Sequence, residues 1–260
     1  MQTDLQTYRW MEARAALRTQ HLIALPLGLL LGVLSSFLMP AMPPMVLKVF
    51  GTMFQAKTWT DSILLNDYLA FFVILYWLGI FDLLRIYIVP AEERYPDVLL
   101  SKPLTRTQYL MARVWPTFAV LLALGVLLVV GYWMKIALIN GLGELNTLAY
   151  FSASAIVVSF TLFVLSIVMF AFMFFDETYN ALVVACAACI LPLLPASMYM
   201  YRPDVFTSAV LKYTVVFPAN LLWSPSSNLL WACVLAPAFL GGAYLFILLT
   251  GKRLESMDSI

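Results

Sequence analysis

From Leu145 to Phe175 the chain carries no charged residue. At about 1.5 Å per residue, a helix of that length exceeds the ~30 Å hydrocarbon core of a bilayer. Backbone groups in hydrocarbon must be satisfied within the segment, so the run reads as a helix that is tilted or projects beyond the membrane. Further apolar runs cover Leu22–Met39, about Asn66 to Val89, about Met111 to Leu138, the stretch after Asn180, and Asn228–Thr250. The chain has 260 residues, 63% of them hydrophobic and 11% charged, whereas soluble domains carry roughly a quarter charged residues. The expected fold class is an all-α integral membrane protein. Six spans form one transmembrane domain over residues 1–260. The N-terminus lacks the short basic start and immediate apolar run of a signal peptide, so the first span is expected to be retained.

The long polar interruption is Ala91–Arg113. It holds Glu92, Glu93 and Asp97 beside Arg94, Lys102, Arg106 and Arg113. Pro96 and Pro103 break it, because each removes a backbone donor and disfavours helix in the residue before it. Between them lies an apolar knob, Val98, Leu99 and Leu100. Thr105 and Gln108 then have the spacing of a capping box that starts the next helix. An apolar chain that leaves the membrane to display a small apolar patch among charges suits contact with a soluble partner.

Residues 1–20 read as an amphipathic elbow helix on the inner membrane face. Leu5, Tyr8, Met11 and Ala15 recur near helical spacing, and Arg9, Arg14 and Arg18 lie elsewhere on the helix. The alternative is an ordinary solvated leader helix. His21, the single histidine, has no partner nearby in sequence and is expected at the membrane interface rather than as a ligand. Gly28 and Gly32 make a small-xxx-small pair that lets a second helix approach, and Ala181, Ala185 and Cys189 form a similar stripe; both are expected at the contact with a second copy. Cys186 and Cys189 have redox-motif spacing inside an apolar span and read as packing residues. Met39, Met42 and Met45 would share one face of a polyproline II helix and could offer thioethers to a soft metal, but three flexible apolar side chains at an interface are the favoured reading. Asp82 and Arg85 lie three residues apart toward the end of the second span, where a mutual ion pair accounts for both without a transport role. Residues 202–227, divided by Pro218 and Pro225, read as an extracytoplasmic pair of short re-entrant helices.

Both termini are expected in the cytoplasm. Arg9, Arg14, Arg18, Arg85, Arg94, Lys102, Arg106, Arg113, Lys252 and Arg253 then lie inside. Lys48, Lys57, Lys135, Arg202 and Lys212 lie outside, a bias in the direction of the positive-inside rule.

The sequence resembles the permease subunits of type-2 ABC exporters. That family shows Glu-Arg, a leucine run, a Pro, Ser/Thr-Arg and a returning helix after the second span. The matching positions here are Glu93-Arg94, Leu99-Leu100, Pro103, Thr105-Arg106 and Tyr109-Leu110, with Arg113 where a Lys is common. The layout of elbow helix, six spans and a re-entrant hairpin before the last is similar over nearly the whole chain. Tyr95-Pro96-Asp97 departs from the family's Gly and Thr or Ser. The resemblance implies a cytoplasmic coupling segment over residues 91–108, in which Glu93, Arg94, Val98, Leu99, Leu100, Pro103 and Arg106 meet a separate ATPase. Two permeases and two ATPases would form the transporter in a bacterial-type inner membrane.

The chain has no Gly-x-x-x-x-Gly-Lys-Ser/Thr loop to cradle phosphates, so no cofactor is expected on it. ATP and magnesium would belong to the partner, and this chain would be non-catalytic. The near-zero net charge of +1 gives no reason to expect nucleic acid. One alternative keeps the fold but turns ATP-driven motion to mechanical or maturation work on an extracytoplasmic partner, with a copper connection suggested by the methionines. Another is an ATP-independent secondary transporter, against which Asp82 stands nearly alone as an intramembrane carboxylate.

Overall fold

The computed structural model describes residues 19–38, 41–56, 58–92, 106–140, 146–175, 177–225 and 227–258. Among them there is helix and no strand. The long elements are α1 (Thr19–Leu38), α2 (Pro44–Met53), α3 (Trp59–Glu92), α4 (Arg106–Asn140), α5 (Thr147–Phe172) and α6 (Thr178–Ile190). A 3-10 turn, Leu191–Leu193, joins α6 to α7 (Leu194–Tyr201). A second 3-10 turn, Pro203–Thr207, leads to α8 (Ala209–Trp223), and α9 (Leu229–Asp258) closes the chain. Six helical stretches are long and apolar enough to cross a membrane: Gln20–Leu38, Trp59–Ile88, Met111–Ile139, Thr147–Phe172, Thr178–Tyr201 and Leu229–Arg253. This is a multi-pass membrane protein. The second span starts at Trp59, not near Asn66, because Asp61 and Asp67 interrupt the hydropathy without breaking the helix.

The bundle is arranged around α3 and α5. On α3, Leu65, Tyr68, Phe72, Leu75, Tyr76, Ile80 and Leu83 recur at three- to four-residue spacing and are all buried, the stripe of a helix packed on several sides. It contacts α1, α4, α5 and α6, while α5 packs along α9 over most of its length. The spans alternate in direction. We call the end where α3 stops and α4 starts the proximal end, and the opposite one the distal end. Arg253 of α9 lies over the Phe174 ring, 4.2 Å from its centroid, beside the C-terminal end of α5. The last span therefore also ends proximally.

The distal end is capped by α2, α7 and α8. Pro43 and Pro44 open α2, where a missing N–H costs nothing, and Asn220 Nδ2 of α8 donates to Met53 O at its other end, 3.2 Å away. Within α8 the turn Lys212–Val216 is a π-helix, whose closing bond runs from Phe217 N–H to Lys212 O. Widening the turn just before Pro218 accommodates a residue that has no N–H and crowds the preceding turn. Pro218 therefore does not divide the segment: the expected pair of short helices is a 3-10 turn followed by one helix. Trp223 ends that helix fully buried. It packs edge-on against Phe72, with centroids 5.5 Å apart, and donates from Nε1 to Pro192 O at 3.3 Å.

Of the elbow helix expected over residues 1–20, residues 1–18 lie outside the described residues, as do residues 93–105 of the coupling segment expected over 91–108, and Met39. Met42 and Met45 are described. Met45 sits in the first turn of α2, an α-helix, and not on a polyproline II face. The polyproline II geometry expected to align the three thioethers is therefore not the one Met45 adopts. Among the described residues, no group of three His, Cys, Asp or Glu side chains could hold a metal.

Candidate functional site

Charged groups buried in a membrane span are costly and mark places where geometry has been selected. Among the described residues two such places occur, one toward each end of the α1–α3–α4 face.

At the distal place, Lys135 of α4 and Asp67 of α3 form an ion pair in which both partners are buried. Lys135 Nζ donates to Asp67 Oδ1 at 2.8 Å, to Asp67 Oδ2 at 2.6 Å and to Gly32 O of α1 at 3.0 Å. An ammonium has three N–H donors, so its donors are matched by acceptors on two other helices. The ammonium also lies 4.9 Å from the centroid of Tyr132. Tyrosine hydroxyls extend the joint. Tyr132 donates to Gly28 O at 2.5 Å, Tyr150 of α5 to Val129 O at 2.7 Å, and Tyr68 to Pro225 O, between α8 and α9, at 3.4 Å. Phe71 stacks against Tyr132 with centroids 4.7 Å apart.

The glycines explain how α1 comes close enough. A Cβ on Gly32 would collide with the Tyr132 ring, and one on Gly28 would come within 3.0 Å of Leu128 and 3.2 Å of Ile74. The small-residue face of α1 is therefore filled by α3 and α4 of the same chain. Likewise Ala181 and Ala185 are fully buried and Cys189 nearly so; their stripe faces α3, where Tyr76 donates to Ala185 O at 2.6 Å. Small residues let backbones approach whichever chain supplies the neighbour. These five positions were expected at a contact with a second copy, and the contact they make here is internal. Cys186 is exposed, and Cys186, Cys189 and Cys233 are free thiols.

Toward the proximal end, Asp82 of α3 is also buried, but its partner is not Arg85. His21 Nε2 of α1 donates to Asp82 Oδ2 at 2.7 Å, and Gln20 Nε2 donates to Oδ1 at 2.7 Å. His21 itself is completely buried and is turned onto α3 rather than toward the surroundings. Arg85 is exposed, on the outward side of α3. The three-residue spacing suggested a local pair, yet a buried carboxylate gains more from donors on the facing helix than from a cation turned toward the surroundings.

Of the residues expected to meet an ATPase, only Arg106 falls within a described helix, as the first residue of α4; Glu93, Arg94, Val98, Leu99, Leu100 and Pro103 lie outside the described residues. The Asp67–Lys135 joint was missed. Lys135 sits four residues inside the end of its span and reads in sequence as the border of an outer loop. Its partner is 68 positions away, and local periodicity carries no sign of such a pairing. No protein-family model, curated protein or solved structure matches this chain.

Proposed function

We propose that this chain is the transmembrane subunit of an ATP-driven exporter, working as part of a dimer and coupled to a separate ATPase. The observation that carries the reading is the pair of long helices on either side of residues 93–105. α3 has 34 residues and α4 has 35. At 1.5 Å per residue each is about 50 Å long, against a ~30 Å hydrocarbon core. Two arms that outrun the membrane and are joined by a charged segment with an apolar knob suit the delivery of force from a soluble motor. The Glu93-Arg94, Leu99-Leu100, Pro103 and Thr105-Arg106 pattern supports the same assignment. ATP and magnesium would sit on the partner, since no phosphate loop occurs in this sequence. Gly28, Gly32, Ala181, Ala185 and Cys189 are occupied within the chain, so a second copy would meet other, outward faces of the bundle.

Motion produced in this way could move a substrate or do mechanical work on a partner at the distal cap. A proton-coupled transporter is the rival that the two buried carboxylates favour. They are 15 positions apart on α3, about 22 Å, and buried Phe71, Phe72, Leu75 and Ile80 lie between them. That spacing suits two separate fastenings better than a relay.

The test is ATP hydrolysis by the purified chain, alone and reconstituted with an ABC-type ATPase from the same cell. No hydrolysis alone, and hydrolysis by the ATPase that rises several-fold on assembly, is the expected result. Hydrolysis by the isolated chain, or an ATPase indifferent to it, would overturn the reading.

A further inference from the structure

We propose that the Asp67–Lys135 ion pair is the pivot of the α3–α4 arm, the joint through which displacement at residues 93–105 reaches the distal cap. The inference rests on the coupling reading above.

Along α3, Asp67 stands 25 residues from Glu92, and along α4, Lys135 stands 29 residues from Arg106. At 1.5 Å per residue these are arms of about 38 and 44 Å. Between the two helices, most of the contact is apolar and therefore non-directional. The ion pair is different. It fixes α4 against α3 through two bonds and against α1 through a third, at one buried point. Such a pair adds little net stability over apolar residues of the same size, because desolvation offsets the attraction. Its directional bonds do set where the helices stand relative to one another. A displacement of the proximal ends can then become rotation about this point rather than slip along the interface.

The joint is also connected onward. Tyr68, next to Asp67, donates to Pro225 O in the link between α8 and α9, and α8 reaches α2 through Asn220 and Met53. Tyr132, one turn from Lys135, holds Gly28 O of α1. Rotation at the joint is therefore passed to the elements that cap the distal end.

The experiment uses the full chain assembled with its ATPase in lipid nanodiscs. Spin labels are placed at Met45 in α2 and Tyr213 in α8, both exposed, after Cys186, Cys189 and Cys233 are replaced by Ser. The distance between labels is read with and without ATP, beside the hydrolysis rate. In the parent chain ATP is expected to shift that distance. In the uncharged double variant Asp67→Leu/Lys135→Met, hydrolysis should stay within about twofold and the nucleotide-free distance should be unchanged, while the ATP-driven shift falls by more than half. A merely structural pair would alter the resting distance or the assembly, not the shift alone. A second apolar pair of similar size, Asp67→Met/Lys135→Leu, carries the same expectation should the first double variant fail to assemble. An intact ATP-driven shift in either assembled variant overturns the pivot and leaves the coupling reading standing. Absence of partner-stimulated hydrolysis in the parent chain overturns the coupling reading and the pivot with it.

Discussion

Gly32 shows how much one residue can hold. Its missing side chain admits the Tyr132 ring, and its carbonyl accepts from Lys135. Gly32→Leu would drive a branched side chain into that ring and push α1 off the ammonium. Overpacking costs roughly 1–3 kcal/mol, and a loosened hydrogen bond to a charged donor adds roughly 1.5–3. The expected outcome is a clearly lowered unfolding temperature for the monomer in detergent, with Gly32→Ala intermediate. An unchanged midpoint for Gly32→Leu would show that α1 can shift at no cost. At this scale the sequence was only half legible. Glycine spacing correctly marked a close helix approach, but not which chain supplies the neighbour. Asp82 was recognisable as a buried carboxylate, while its partner could not be read, since His21 lies 61 positions away and proximity in sequence favoured Arg85.

Elements were more legible, because a bilayer imposes length and apolarity on every span. Runs of uncharged residues placed both ends of four spans, and the start of the fifth, to within a few residues. The second span was expected to begin near Asn66, short of the turn that holds Asp61. In the structure Asp61 instead closes the first turn of α3. It accepts from Thr58 N–H at 2.9 Å while Thr58 Oγ1 accepts from Asp61 N–H at 3.1 Å, a reciprocal cap. The π turn before Pro218 had no signal in the residues, since it answers a local conflict that several geometries could resolve. The connection from α2 to α3 carries a testable strain. Gln55 has φ 58°, a left-handed conformation, and Ala56 N–H donates back to Phe50 O at 3.0 Å. Glycine adopts that conformation without the steric cost a side chain brings. Gln55→Gly should therefore stabilise the protein by up to about 1 kcal/mol. A thermal melt that moves down would mean that the Gln55 side chain contributes more than its backbone strain costs.

For the whole molecule, the question is how a soluble motor would grip a bundle whose outer surface is mostly apolar. Val98, Leu99 and Leu100 are the proposed grip, set between charged neighbours on the segment that joins the two long arms. Burying one leucine is worth roughly 1.5–3 kcal/mol, so two could supply much of a modest interface. Glu93, Arg94 and Arg106 would orient the knob, each contributing less, because exposed ion pairs are worth about 0–1 kcal/mol. Leu99→Asp would place a carboxylate in an apolar groove, where an unpaired charge is strongly disfavoured. The expected result is at least a tenfold weaker co-purification with the ATPase and loss of partner-stimulated hydrolysis, with insertion into the membrane unchanged. Arg106→Ala should weaken assembly by no more than about fivefold, the equivalent of 1 kcal/mol. The contrast between the two variants is what separates a docking knob from a charged tether. If Leu99→Asp assembles and stimulates hydrolysis like the parent chain, residues 93–105 are a solvated connection between α3 and α4, and the grip must be sought on another proximal loop.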